Sequence, residues 1–336
     1  MLLQIRLQSQ FGTKTFPMFR VAITMFCFVI SLSVNAQQLP LFTQYRDNQG
    51  VLNPASVSSN YFLNEENISI GASYRKQWAT LKNSPTTQVL RGEWVMSNNR
   101  SFNLLTGGYI MNDQTGPTGF TGLYGRFGAI LSEDPEQNGF AVGISLGVVQ
   151  YRVNVSGLRF HDAGDIEGMT DQQKIYPDAG LGAFYYTQLN SGNGNNDMFY
   201  SGISIPQLFG LNLQFKDVNG QFSTKRIQHF YGNAGWIHYL SDESYLEPSV
   251  WAKYAPNAPF NADINLKYQM NNVFWLGTGI SLGKMFHAET GVVLGEDLDM
   301  GGRIKIGYGF DYSFNTFGPF AGTSHEFNLS YSFGNK

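Results

Sequence analysis

The chain has 336 residues, 38 of them glycine, with 15% aromatic side chains against 14% charged and a formal net charge of -3. Soluble enzymes of this size usually carry more Lys and Glu and only ~7% Gly, and a nucleic-acid partner would need a basic stripe that this charge balance does not supply. Length alone allows two domains, but closed β architectures often run this long as one.

In chain order, the first feature is the apolar run from Val21 to Val34, flanked by Arg20 and ending near Ala36. A basic flank, a short apolar core and a small terminal residue describe a signal peptide over 1–36, cleaved after Ala36, with Met18 as the expected true start. The single cysteine, Cys27, lies inside it. The mature chain is therefore expected to hold no disulfide. Met25 and Phe26 are not the small residues a lipoprotein cleavage before Cys27 would need. Mean hydropathy is -0.21 and no second apolar run follows, so a crossing of a membrane is expected through strands and not helices.

Residues 37–55 are too polar for a helix core and too rich in Pro, Gly and Asn for a strand. From residue 68 onward the pattern changes to period two. It is clearest in 303–314, where Ile304, Ile306, Tyr308, Phe310, Tyr312 and Phe314 fall on one face. The other face holds Arg303, Lys305, Gly307, Gly309, Asp311 and Ser313. Residues 262–270 and 326–333 alternate in the same way. Strands are predicted at 68–75, 86–97, 102–111, 119–131, 140–155, 178–189, 197–206, 228–240, 246–255, 262–270, 273–282, 286–295, 302–314 and 325–334. A phase shift between Val148 and Val149 reads as a bulge.

About fourteen strands, many near ten residues, fit an all-β fold: an antiparallel up-and-down transmembrane β-barrel of outer-membrane type, spanning 68–336. The apolar face would meet lipid and the polar face the lumen. Trp94, Tyr109, Trp236, Tyr239, Trp275 and Phe333 are expected in the aromatic girdles. The longest connections, 156–177 and 207–227, are both odd-numbered, which places them outside if the N-terminus is periplasmic. Asn219-Gly220 is predicted to turn a small hairpin within the second. Scattered strand glycines fit barrel curvature. Arg at Ile306 should destabilise by ~2–4 kcal/mol, and Arg at Gly307, on the lumen face, should be better tolerated unless it clashes.

No catalytic constellation is visible. The five histidines form no metal-spaced pair; His229 and His238, nine apart, fall on opposite faces of a strand. Glu296-Asp297-Leu298-Asp299 and the group His161, Asp162, Asp165 and Glu167 read as solvated loops before they read as cation sites. No cofactor and no metal are expected.

Phe42-Thr43-Gln44-Tyr45 followed by Leu52-Asn53-Pro54-Ala55, directly after a signal peptide, resembles the PorP/SprF family of outer-membrane proteins. The resemblance continues through Tyr74-Arg75-Lys76-Gln77-Trp78 and Ser84-Pro85-Thr86-Thr87-Gln88. It returns in Gly309-Phe310-Asp311-Tyr312-Ser313 and Ser324-His325-Glu326-Phe327-Asn328-Leu329. Arg46 to Gly50 is more polar than that pattern, and Phe333, the last aromatic, is not terminal. The resemblance implies a non-enzymatic barrel of the type IX secretion and gliding-motility machinery. Such a protein helps a large secreted adhesin, recognised through its C-terminal domain, to reach or stay on the cell surface. It implies contacts with that cargo, with periplasmic and outer-membrane components of the system, and with outer-membrane lipid. Under it, residues 37–67 become a periplasmic or lumen-plug segment, with Pro40 and Pro54 opposing regular pairing and Phe42, Tyr45 and Leu52 as anchors. The partner-binding candidates are Phe42, Gln44, Tyr45, Asn53, Pro54 and Ala55 in that segment, and His161, Asp162, Phe215 and Phe222 in the long loops. A general diffusion porin is the alternative, and an outer-membrane enzyme a more distant one.

Overall fold

A computed structural model describes residues 41–97, 102–154, 171–190, 196–210, 212–217, 220–295, 301–315 and 318–334. The described residues belong to one compact unit within 37–336; the proposed signal peptide, 1–36, lies outside the described residues. Two short helices, α1 (Gln49–Leu52) and α2 (Ser59–Asn64), precede the strands. The first half of the wall is β1 (Ile68–Lys76), β2 (Thr86–Met96), β3 (Phe102–Thr115), β4 (Thr118–Leu131), β5 (Asn138–Val153), β6 (Gln172–Asn190) and β7 (Asn196–Ile205). A separate hairpin, β8 (Asn212–Asp217) and β9 (Gly220–Lys225), follows. The wall resumes with β10 (Phe230–Ser241), β11 (Ser244–Tyr254), β12 (Asn261–Met270), β13 (Phe274–Ser281), β14 (Met285–Leu294), β15 (Arg303–Ser313) and β16 (Ser324–Phe333), with α3 (Gly318–Ala321) before the last strand.

Fourteen of these strands form a closed antiparallel barrel in which each pairs with its neighbours and β16 pairs with β1, with Tyr74 opposite Phe327. Closure removes the free edges that an open sheet of this size would leave in lipid. The faces follow the alternation. Ile306, Leu329, Ile264, Leu266 and Leu123 are exposed on the outside, whereas Asp263, Asn265, Asp311, Glu326 and Asn328 are buried inside. An apolar exterior around a polar, packed interior is the inverse of a soluble barrel and the arrangement a lipid solvent requires. Among the described residues no helix is long and apolar enough to cross a membrane.

Three expectations change. β5 carries no bulge, because its pairing to β4 runs without interruption through Leu123–Val148 and Gly122–Val149. Val148 points out and Val149, fully buried, points in. Its apolar character reflects packing inside the barrel with Val51, Leu52 and Phe42, not a change of phase. Secondly, Trp94 and Trp236 face outward, but Tyr109 and Trp275 are buried in the lumen and Tyr239 packs on an interior cluster. Those three serve the interior and not a girdle. Thirdly, β3, β4 and β6 extend further than their hydrophobicity indicates. β3 and β4 meet at a two-residue turn, with Thr115 paired to Thr118 and Gly116 at φ +58, where a Gly in the first turn position suits a hairpin. β6 starts at Gln172 and runs through Pro177, which is tolerated because β7 pairs with β6 only from Leu181 onward.

The hairpin in the second long loop is present. Its strands pair from Asn212–Lys225 to Asp217–Gly220, and the predicted turn residue Asn219 lies outside the described residues. His229 is buried and His238 partly exposed, on opposite faces as expected from their spacing.

Candidate functional site: the segment inside the barrel

Residues 41–66 lie inside the barrel. Their backbone satisfies itself locally in short turns, as an irregular peptide must when it is buried. Asp47 N–H donates to Gln44 O and Asn48 N–H to Tyr45 O, α1 follows, and Asn53 closes it with its N–H on Gln49 O at 2.7 Å. Asn53 Oδ1 then accepts from Ala55 N–H at 2.9 Å, an Asx turn that redirects the chain before Pro54 can extend it. Ser58 caps α2 by accepting from Asn60 N–H, and Glu65 ends it in the left-handed conformation at φ 58.

The first anchor is a buried charge cluster. Arg75 lies 2.6 Å from Asp311 and 3.3 Å from Glu326, all three nearly inaccessible to solvent. Glu326 accepts the backbone N–H groups of Thr43, at 2.7 Å, and Gln44, at 3.2 Å. Thr43 Oγ1 donates to Asp311 at 2.8 Å and also meets Arg75. Next to it, His287 Nδ1 is 2.6 Å from Asp311, and Asp263 receives Lys253 at 2.5 Å. Four stretches that carried the family resemblance, around residues 43, 75, 311 and 326, therefore meet at one point.

The second anchor, Tyr45 to Asp47, follows directly in the chain. Tyr45 stacks on Trp251 with centroids 5.1 Å apart and donates to Ser249 Oγ at 2.7 Å. Arg46 pairs with Glu289 and reaches Glu247 at 3.7 Å. Asp47 pairs with Lys305 at 2.5 Å. Burial, the largest influence on Asp47, would raise its pKa. Lys305, Lys267 and Arg91 together outweigh it and hold the carboxyl down at about 2. Burial also pushes the Tyr45 phenol up.

The third anchor is steric. Asn53 Nδ2 donates to Ala183 O at 3.0 Å, and Ser204 Oγ donates to Leu52 O at 2.7 Å. A Cβ on Gly182 would collide with Asn53 Oδ1, and one on Gly307 with Gln44 Oε1. Gly143 meets the backbone itself, where a Cβ would lie 2.5 Å from Pro54 O, so close approach of the inner segment calls for glycine there, a role that the alternation of the wall alone does not reveal. Arg75, Asp311 and Glu326 were also not singled out from sequence as a site. Their signal was the placing of full charges on the inward face of three strands, which only pays off, physically, if something inside binds them.

The six candidates from the front segment are brought together, and all are buried: Phe42, Gln44, Tyr45, Asn53, Pro54 and Ala55. They bind the barrel's own wall. Phe215 and Phe222 stand opposite each other in the β8–β9 hairpin. His161 and Asp162 lie outside the described residues. No cluster of three or more His, Cys, Asp or Glu with metal-binding geometry occurs among the described residues.

This arrangement defines an outer-membrane type of β-barrel with its N-terminal segment lodged in the lumen. The chain belongs to the PorP/SprF family: residues 34–331 match the family described as type IX secretion system membrane protein PorP/SprF. Fold and family together place it in the outer membrane. No curated protein matches the chain in sequence. Among solved structures it is similar to the TodX deltaS2S3 mutant monoaromatic hydrocarbon channel, at TM-score 0.52 and 11% identity over 86% of this chain and 94% of that one. It is also similar to the Pseudomonas putida toluene transporter TodX (TM-score 0.41, 10% identity, 84% and 96% covered). The translocator domain of autotransporter NalP from Neisseria meningitidis matches at 0.41 and 9% identity, covering 80% and 88%. At such identities the likeness is one of fold.

Proposed function

We propose that the chain is a non-enzymatic component of the type IX secretion and gliding-motility machinery that helps to secrete, anchor or display a large secreted surface protein. The observation that carries this reading is the family match over nearly the whole chain, joined to a lumen occupied by the chain's own segment. A diffusion porin needs an open water path, and three anchors oppose one here. In this reading residues 1–36 direct export, both termini are periplasmic and the long loops face the outside of a Gram-negative cell. The cargo is recognised through its C-terminal domain. Contacts with it come from the loops around 154–171 and 206–229, including His161, Asp162, Phe215 and Phe222. The buried front residues act as anchors that fix the lumen, and periplasmic components dock at the end where that segment enters.

The test is purification of the tagged protein from its native outer membrane in mild detergent, with co-purifying chains identified by mass spectrometry. A large secreted protein held through its C-terminal region supports the reading. A barrel recovered alone at native expression, with known membrane complexes intact in the same extract, sinks it and turns attention to conductance.

A further inference from the structure

Six charged groups meet where the front of the inner segment is fastened. They are Arg75 on β1, Lys253 on β11, Asp263 on β12, His287 on β14, Asp311 on β15 and Glu326 on β16, each at most 8% exposed. β13, between β12 and β14, adds no charge, and its Gly279 stands opposite His287. Glu289, two residues along β14, is engaged by Arg46. The charge state of the carboxyls follows from what their oxygens face. Glu326 Oε2 accepts Thr43 N–H at 2.7 Å and Arg75 at 3.3 Å, and Oε1 accepts Gln44 N–H at 3.2 Å. Asp311 Oδ2 accepts the Thr43 hydroxyl at 2.8 Å and lies 2.6 Å from the Arg75 guanidinium. Asp263 Oδ2 accepts the Lys253 ammonium at 2.5 Å. Each carboxyl is met by donors and by a cation, so all three are ionised.

His287 stands between two of these carboxylates. Its Nδ1 is 2.6 Å from Asp311 Oδ1, and its Nε2 is 3.8 Å from Asp263 Oδ1. Those last two atoms are buried and have no hydrogen-bond partner in the protein. A neutral ring carries a single N–H. With the proton on Nδ1, the Nε2 lone pair would face the lone pairs of Asp263; with it on Nε2, the Nδ1 lone pair would face Asp311. An imidazolium presents an N–H to both. The charge balance agrees. Three carboxylates face two permanent cations, Arg75 and Lys253, and a neutral ring would leave one buried negative charge unmatched, which a lumen packed with protein penalises. The imidazolium brings the cluster to neutrality.

We propose that the His287 imidazolium is a pH-sensitive latch on the front of the inner segment, and that loss of its proton at alkaline pH loosens the hold of the barrel on residues 41–44. The coupling runs through Asp311 and Glu326, which bind the segment at Thr43 and Gln44. Without the imidazolium the carboxylates of Asp263, Asp311 and Glu326 outnumber their cations and repel one another. Water drawn in around the excess charge then competes for the oxygens that accept from Thr43 and Gln44. A proton held more tightly by the folded than by the unfolded chain contributes stability that is complete below about pH 6.5, the ordinary value for histidine, and is lost as pH rises beyond it. The latch is thus separate from the titration of Asp47, whose carboxyl is held at about 2. It does not depend on the secretion reading.

The test is chymotrypsin cleavage after Phe42 and Tyr45 in the whole protein in detergent micelles, with fragments identified by mass spectrometry. Cleavage inside the segment follows the population of its open form. The protease's own pH dependence is removed by dividing by the rate on a free peptide of residues 41–48. The corrected rate should rise about tenfold or more from about pH 6 to about pH 9. His287→Gln, which cannot take up the proton, should give a high rate that is level with pH. His287→Lys, which keeps the cation, should give a low and level one. Should these variants fail to fold, as judged by gel mobility before and after heating, His287→Gln combined with Asp263→Asn decides. There two carboxylates face two cations, and the rate should be low and level. Histidine-selective NMR reads the ring itself, with the His287 signal assigned by its loss in the double variant, and should show an imidazolium at neutral pH. A level wild-type rate, a His287→Gln or double variant whose rate still rises with pH, or a neutral ring at neutral pH would overturn the proposal.

Discussion

Arg75 and Glu326 face each other as a directly opposed pair across the β1–β16 seam, where the barrel closes, with Nη1 and Oε2 3.3 Å apart. The pair does two things. It matches charge across the seam, and it aims a carboxylate at the backbone of Thr43 and Gln44. Removing one member of a buried pair leaves the other uncompensated, which costs about 3–5 kcal/mol. Arg75→Met strands both Asp311 and Glu326. It should lower stability by that amount, measured as an earlier loss of the compact gel band on heating. Adding Glu326→Gln to Arg75→Met should recover part of the loss, because one of the two stranded charges is gone. A double variant no more stable than the single one would count against charge as the cause.

The two faces of β15 should respond differently to substitution. Ile306 is 45% exposed on the outer face, and Ile306→Arg should cost ~2–4 kcal/mol near the middle of the bilayer. Gly307 is not the tolerant neighbour that the alternation indicates, because a side chain there meets Gln44. Gly307→Arg should displace the inner segment while leaving the outer face unchanged. The two defects separate by measurement: Ile306→Arg lowers the barrel's unfolding temperature, whereas Gly307→Arg raises protease cleavage between residues 41 and 48. Equal protease sensitivity in both variants would refute the assignment.

Much of the wall was legible because lipid imposes a simple rule on it. Residues 303–314 and 326–333 alternate strictly, and their outward and inward sets are those seen. Legibility failed where a second partner stood inside. Val149 looks like an error of phase until Val51 and Leu52 are placed against it, and Tyr109 looks like a girdle residue until the lumen is known to be filled. Pro177 hides the first residues of β6 because sequence does not show that its neighbour β7 begins later. The front segment was recognisable as irregular and as anchored by Phe42 and Tyr45. Its binding points, Asp311, Glu326 and Gly182, are more than a hundred residues away, and no local pattern couples them to it.

Asp47 gives a pH test. Its ordinary pKa is about 3.9, and in the barrel it is held at about 2 by Lys305, Lys267 and Arg91 against burial. A depressed carboxylate contributes stability that is complete above the unfolded value and lost as pH falls through the folded one. The contribution, about 2 kcal/mol, should therefore fade between about pH 4 and pH 2. Asp47→Asn should weaken retention of the segment at neutral pH and remove this part of the acid dependence. Protease accessibility of residues 41–66 as a function of pH reads both. Parallel profiles for wild type and Asp47→Asn would exclude Asp47 as the titrating anchor.

Deleting residues 41–60 tests the lumen directly. The deletion removes Phe42, Val51 and Leu52 from a cluster that includes Tyr109, Met111 and Tyr124, each worth about 1.5–3 kcal/mol when buried. It also removes Arg46 from Glu247 and Glu289, and Asp47 from Lys305. Charges left without partners inside a barrel draw in water, so the emptied lumen should hydrate and not collapse. The wild-type protein should conduct little in planar bilayers, and the deletion should show a steady pore of larger conductance. Its current should depend on salt, because the wall exposes charges of both signs. The fourteen-stranded seam does not include the segment, so the barrel itself should still form, as judged by resistance of the unheated gel band to denaturation. Equal conductance before and after deletion would mean that ions already pass the segment, and its anchors would then shape the wall without closing the lumen.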